Sequence, residues 1–280
     1  MTTGSPPAGD SRSGPWNRNL ESLRSRDGLN FAERLVIVER AGVPCVIRGA
    51  EDRLVAVFQW FPFDDRLAFD RVAMAFSDDD GRSWSQPTAV SVTGLPPELM
   101  RPFDPVVVQL ADGRYRLYFT SNGRGSGDRP AIYSAVSTDT RNYVFEAGAR
   151  FAPTAGTVDA SVVSFRGVWH LYAHNQQANT GRGFHATSTD GLVFDQQPDV
   201  DVGVGRQWIG NAIEVGGRLR YYGSGRDGIW SAVSTDGAIW QLDPGIRAVA
   251  GDPSAVTRRD GDTMLVVVGD LRADAGPAPG

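Results

Sequence analysis

The stretch SDDDGRSW, residues 77–84, sets three consecutive aspartates ahead of a glycine and a tryptophan. It can be read as a metal loop, an acid cluster or a turn. A calcium loop of the EF-hand kind needs oxygen ligands at alternating positions and a closing bidentate glutamate. Here Ser85, Gln86 and Pro87 follow, and no glutamate is near. Recurrence decides among the readings, because a catalytic cluster occurs once in a chain while the structural turn of a repeat protein occurs in every repeat. Related stretches stand at 25–31 (SRDGLNF), 137–145 (STDTRNYVF), 188–194 (STDGLVF) and 234–240 (STDGAIW). Each lies between two short β-like runs, so the motif is a hairpin turn. Ser and Asp bond the turn backbone, Gly supplies positive φ, and the closing aromatic is expected to pack between sheets.

A second repeat lies between the turns: VPCVIRGAEDRLVAVFQW (43–60), DPVVVQLADGRYRLYFTS (104–121), DASVVSFRGVWHLYAHN (159–175), IGNAIEVGGRLRYYGSG (209–225) and DPSAVTRRDGDTMLVVVGD (252–270). Each reads as two strands around a tight turn. The first strand is nearly all apolar, as for an inner strand covered on both faces. Two strands here and two around each SxD turn make four per repeat, the pattern of propeller blades. The chain opens with an SxD hairpin lacking its inner pair and closes with an inner pair lacking its hairpin. The expected fold is therefore an all-β, five-bladed β-propeller with four antiparallel strands per blade. Its last blade is shared between N-terminal outer and C-terminal inner strands, which closes the ring. The propeller is expected over residues 21–271. Residues 1–20 and 272–280, rich in Gly, Pro, Ala and Ser, are expected to be disordered.

Composition narrows the partners. With 28 basic and 33 acidic side chains, a net charge of −5 and no basic run, the chain does not fit a nucleic-acid partner. No residue is Lys, which reads as compositional bias. Cys45 is the only cysteine, so no internal disulfide forms. The opening MTTGSPPAGDSRSGPW has no apolar run of the kind that spans a membrane or directs export, so a cytoplasmic protein is expected.

Topology predicts where a site must lie. With the strands of a blade labelled A to D outward from the axis, the A-strand starts and B–C loops share one face, here called upper. The A–B and SxD turns share the lower face. The A strands start at Val43, Asp104, Asp159, Ile209 and Asp252, so three carboxylates are expected to converge on one upper funnel. A cap at the start of each strand is the competing role for these aspartates. Like charges brought together in low dielectric would raise at least one pKa and favour a shared proton, a cation or catalysis.

The SxD turns resemble the Asp-box of sialidases and related propellers; 77–84 matches its full form and the other copies are shortened. FDPVVVQLADGRYRLYFTS and GDPSAV resemble the strand starts of the five-bladed glycoside hydrolases, the arabinanase, xylosidase and fructosidase group. That resemblance implies a carboxylate acid/base site, with Asp104 and Asp159 matching two adjacent acid positions. A pair flanking a glycosidic bond would stand about 5 to 9.5 Å apart. Val43 and Ile209 depart from the group's third acid, and no glutamate begins an A strand. Glu98, in the loop entering blade 2, is a candidate substitute, and His174, expected at the upper rim, is a candidate acid or base. Glu214 falls in mid-strand.

For a sugar-like ligand, Trp60 and Trp208 are candidate stacking surfaces. Arg101, Arg124, Asn175, Gln176, Asn211 and Arg226 are candidate hydrogen-bonding groups. No cofactor is expected; the one metal the pattern admits is an axial Ca²⁺ held by the carboxylates. The leading expectation is a glycosidase-like enzyme acting on a small glycoside or polyhydroxylated metabolite. The alternatives are a non-hydrolytic acid/base enzyme of secondary metabolism (isomerase, lyase or cyclase) and a non-catalytic carbohydrate- or metabolite-binding propeller.

Overall fold

A computed structural model of the chain describes residues 15–175 and 180–270. Five antiparallel blades surround one axis, each with its strands in order from the centre outward. Blade 1 holds β3 (Ala41–Arg48), β4 (Leu54–Trp60), β5 (Arg71–Ser77) and the two-residue β6 (Thr88–Ala89). Blade 2 holds β8 (Phe103–Gln109), β9 (Tyr115–Ser121), β10 (Ala131–Ser137) and β11 (Asn142–Phe151). Blade 3 holds β12 (Val158–Phe165), β13 (Val168–His174), β14 (Arg182–Ser188) and β15 (Asp195–Asp201). Blade 4 holds β16 (Arg206–Val215), β17 (Arg218–Gly225), β18 (Trp230–Ser234) and β19 (Gln241–Leu242).

Blade 5 joins the two ends of the chain: β20 (Gly251–Thr257) and β21 (Thr263–Asp270) are its inner pair, β1 (Arg18–Ser25) and β2 (Ala32–Glu39) its outer pair. β1 pairs with β21 along its whole length, from Arg18 opposite Asp270 to Ser25 opposite Thr263. The first strand thus begins earlier than residue 21, because the ladder to β21 runs that far. The rest of the leader and the tail, residues 1–14 and 271–280, lie outside the described residues.

Blade 2 keeps its four antiparallel strands and gains an addition at the outer edge. A fifth strand, β7 (Ser91–Thr93), runs parallel to β11 on its outer edge. The connection out of blade 1 lies there, covering an otherwise open edge while Val90 and Val92 pack inward.

Five apolar clusters make the core, one between each pair of neighbouring blades. Alternation along a strand sends successive side chains to opposite blades. In β4, Leu54, Ala56 and Phe58 face blade 5 while Val55 and Val57 face blade 2.

All five SxD turns have the same geometry. The Ser hydroxyl donates to the Asp carboxylate at 2.8 to 3.0 Å, in the pairs Ser25–Asp27, Ser77–Asp79, Ser137–Asp139, Ser188–Asp190 and Ser234–Asp236. Backbone N–H groups further along each turn donate to the same carboxylate. These bonds hold the five carboxyls below their ordinary range. In three turns the glycine carbonyl accepts a tyrosine hydroxyl from the preceding blade: Tyr118 to Gly191, Tyr172 to Gly237 and Tyr222 to Gly28. The turns are clamps between blades.

The three aspartates of residues 78–80 divide by role. Asp78 pairs with Arg53, Asp79 forms the turn, and buried Asp80 pairs with Arg48 and with Arg258 of blade 5. The turns sit beside the A–B hairpins, as the register of Ser188 opposite Trp169 requires. They are therefore at the lower end, away from the A-strand starts.

Candidate active site

The start of each inner strand carries a break in register. At four of the breaks a non-glycine residue adopts positive φ: Val43 (48°), Asp104 (48°), Asp159 (53°) and Asp252 (44°). Asp tolerates this region; a β-branched Val does so only under strain. The bulge re-aims the side chain, and Val43, Asp104, Asp159, Ile209 and Asp252 together line a small axial cavity of about 20 Å³.

Two residues beyond four of the five starts, a polar side chain stitches one inner strand to the next. Ser254 Oγ accepts from Val46 N (2.9 Å), Cys45 Sγ from Val107 N (3.4 Å), Ser161 Oγ from Ala212 N (3.3 Å), and Asn211 Oδ1 from Ala255 N (2.7 Å). These bonds satisfy N–H groups that the open inner edges of the A strands would otherwise leave bare. They also fix the ring on which the aspartates stand.

The carboxyls of Asp104 and Asp159 are within hydrogen-bonding reach of each other, and the Asp159 backbone N–H donates to Asp104. This corrects the expectation of a 5 to 9.5 Å gap across a pocket: adjacent A strands converge too closely at the axis for that separation. Burial pushes Asp104 up to about 6; the Thr120 hydroxyl, the Asp159 N–H and the Arg101 charge oppose the rise, and the charge of Asp252 adds to it. Asp159 is raised well above the ordinary carboxyl range, first by burial, then by the charges of Asp104 and Asp252 and by the bond to Asp104. Burial also raises Asp252, against a hydrogen bond from Ser224 and the charge of Arg18. Two carboxyls in contact at low dielectric hold one proton between them.

Around this pair stand the expected Arg101 and several residues the sequence pattern did not single out. Arg101 forms an ion pair with Asp70, and Asp70 accepts Gln59 Nε2 at 2.7 Å. Desolvation lowers the Arg101 pKa, and Asp104 opposes that fall. The Thr120 hydroxyl lies beside Asp104, and the buried Tyr221 hydroxyl, without a hydrogen-bond partner among the described residues, has its pKa raised by burial and then by the charges of Tyr172 and Asp159. Thr120 and Tyr221 come from B strands whose pattern is that of ordinary core, so only their convergence reveals them.

Several expected ligand contacts lie elsewhere. Trp208 is fully buried between blades 3 and 4, stacked on Tyr172, with its indole N–H donating to Gly181 O at 3.0 Å. It is core, since the absence of a side chain at Gly183 lets the indole pass directly over that strand. Trp60 faces the blade 5–blade 1 boundary, away from the axis, because alternation along β4 puts it on the face of Leu54 and Phe58. Asn211 is spent on the stitch to Ala255, which takes both its amide atoms. Asn175 donates to Asp199 on the outermost strand of its blade.

Arg124 braces the loop before β8 through the carbonyls of Pro97 and Leu99. Arg226 is an exposed side chain beside Asp227. Glu98 is exposed, and its backbone carbonyl, rather than its carboxyl, bonds Arg124. Gln176 lies outside the described residues. His174 ends β13 opposite Val158 and so stands next to Asp159 in the ladder; burial lowers its pKa, and Nδ1 is buried with no partner among the described residues.

Among the described residues no group of three or more His, Cys, Asp and Glu side chains is placed to hold a metal ion. Nor is any described helix long and apolar enough to cross a membrane. On the lower face the channel widens to about 830 Å³, but there it is walled by inner strands and the turn residues Arg48, Arg258 and Arg259, without the three aspartates.

Neither a protein-family model nor a curated protein sequence matches the chain. Solved structures do. A thermostable family-43 glycoside hydrolase superposes with a TM-score of 0.60 at 13% identity, covering 86% of this chain and 96% of that one. An α-L-arabinofuranosidase from Lactobacillus brevis gives 0.61 at 12% identity over 85% and 86%. A family-117 glycoside hydrolase of Zobellia galactanivorans gives 0.61 at 13% identity over 96% and 84%. At such identities the likeness is one of fold: this is a five-bladed propeller of the architecture found in those glycoside hydrolases.

Proposed function

We propose that the axial aspartates form a glycosidase-like acid/base centre for a small glycoside or a related polyhydroxylated molecule. The observation that carries this reading is the buried Asp104–Asp159 pair beside the charge of Asp252. Direct contact makes the pair too close for its two carboxyls to take opposite sides of a glycosidic bond, which needs about 5–5.5 Å for retention or 6.5–9.5 Å for inversion. It acts instead as one proton-bearing unit, the general acid that protonates the leaving oxygen. Asp252, from a blade adjacent to neither, is the second carboxylate, serving as base or nucleophile. A group with its pKa near 6 can hold and release a proton near neutral pH. Arg101, held by Asp70, tunes Asp104 from the rim. The cavity among the carboxyls has room for about one water, so a sugar meets them at the mouth of the funnel.

The test is a panel of nitrophenyl glycosides assayed with wild type, Asp104→Asn and Asp252→Asn, each checked for folding by circular dichroism. Turnover of at least one glycoside, lost by orders of magnitude in both variants, supports the reading. Absence of turnover across the panel, or turnover indifferent to both substitutions, refutes it. The occupation of two axial positions by Val43 and Ile209 favours a second reading, a sugar-binding propeller without turnover. In that case the same panel binds and is released unchanged.

A further inference from the structure

The boundary between blades 5 and 1 differs from a closely filled contact between sheets. On the blade 5 side the outer strand β2 is eight residues long, whereas β6 facing it from blade 1 has two. The inner parts of the two sheets meet over Leu54, Ala56, Phe58 and Val38. Further out the end of β2 and residues 60–64 and 84–87 of blade 1 stand apart. A crevice of about 790 Å³ remains, with Trp60 near one end and Trp84, which closes the SxD turn of blade 1, near the other. Both indoles are partly exposed and rest on the core cluster beneath. Phe63 forms part of the wall, its ring held by the Arg40 guanidinium 4.0 Å above it.

We propose that this crevice is a binding site for a neutral oligosaccharide, separate from the axial aspartates and independent of any chemistry there. The aromatic rings suit the C–H faces of sugar rings. The polar groups at the rim decide the ligand class. Glu39, Asp64 and Gln86 line the crevice, are exposed, and form no ion pair or side-chain hydrogen bond among the described residues. Ionised carboxylates only accept hydrogen bonds, so the ligand must bring donors, which sugar hydroxyls supply. A proline-rich peptide in the extended left-handed form offers mainly carbonyl acceptors and would need donors from the wall. Arg40 spends Nη1 on the Trp16 carbonyl and Asn17 Oδ1, leaving its other N–H groups and the Gln86 amide to donate to sugar hydroxyls, which both donate and accept. The two free carboxylates disfavour an acidic polysaccharide. The volume lies within the range of about 300–1,000 Å³ typical of ligand sites and exceeds what one sugar ring requires.

The experiment is calorimetric titration of the full chain with xylopentaose, arabinopentaose, cellopentaose and a proline-rich decapeptide. At least one pentasaccharide should bind wild type and Asp104→Asn equally, and bind Trp60→Ala or Trp84→Ala about tenfold more weakly. Because each tryptophan also packs on the core, the exposed double variant Asp64→Ala/Gln86→Ala is measured alongside and should weaken the same sugar while melting like wild type. The proposal is overturned if no pentasaccharide binds or if the peptide alone does. It is equally overturned if sugar binding survives the double variant and both tryptophan variants but is lost in Asp104→Asn. Turnover at the axis, read separately with nitrophenyl glycosides, bears only on the axial centre.

Discussion

Replacing Asp104 by Asn should make the protein more stable at pH 8 and leave it nearly unchanged at pH 4. In the folded chain the Asp104 carboxyl is raised from an ordinary 3.8 to about 6, chiefly by burial. Between those two values the folded protein holds a proton that the unfolded chain has released, so unfolding free energy falls as pH rises through the interval. Above it the full difference is lost. At about 1.36 kcal/mol per unit of pKa, the cost of keeping Asp104 ionised at pH 8 is about 3 kcal/mol. Asn keeps the shape and an acceptor for the Asp159 N–H but carries no charge to desolvate. The assay is urea unfolding of wild type and Asp104→Asn at both pH values, followed by tryptophan fluorescence. The readout is the difference between the proteins at each pH, in which groups remote from Asp104 cancel, while relief of Asp159 from the charge of Asp104 acts in the same direction. A gain of about 2–3 kcal/mol at pH 8, vanishing at pH 4, is the expected result. A loss of stability at pH 8 would refute the reasoning, since it would mean that the carboxylate is a satisfied strand cap whose folded pKa lies below the ordinary value.

Asp79→Ala should cost about 1 kcal/mol, because its carboxylate holds Ser77 and Ser83 in the turn but is partly exposed and screened; the melting temperature should fall while axial ligand binding is unchanged. Asp79 is held at about 2, so this contribution is present above pH 4 and is lost as pH falls toward 2. The stacked, buried imidazoles of His170 and His185 are 3.1 Å apart, and burial lowers both pKa values, that of His185 to about 4. Their unfolded forms bind protons first, so stability should fall as pH drops from about 6.5 toward 4, and His185→Gln should flatten that slope in urea titrations. Removing residues 1–39 takes β1 and β2 from the shared blade and should abolish cooperative unfolding in calorimetry; a truncated chain that melts like the full one would disprove closure by that blade.

Repetition made the fold legible. Five SxD turns and five apolar hairpins specify strand order, blade number and the shared blade, because local hydrogen bonds and side-chain alternation repeat with the motif. Convergence of Asp104, Asp159 and Asp252 was legible for the same reason: equivalent positions of a closed ring meet at its axis. The direction of a single side chain was not. Trp60 and Trp208 both lie near strand ends that approach the upper face, yet packing sends one to the blade 5–blade 1 crevice and the other into the core. Asn211, legible as a ligand donor, is used to close an inner strand edge.

The contact between the Asp104 and Asp159 carboxyls, the Gln59–Asp70–Arg101 chain and the crevice beside β2 depend on distances between residues far apart in the chain. No local pattern encodes them. The sequence alone determined which residues repeat, and therefore the ring and the acids at its centre. The tertiary structure alone decided how closely those acids approach and which aromatics remain accessible, because burial, proton sharing and shape arise only where separate blades pack.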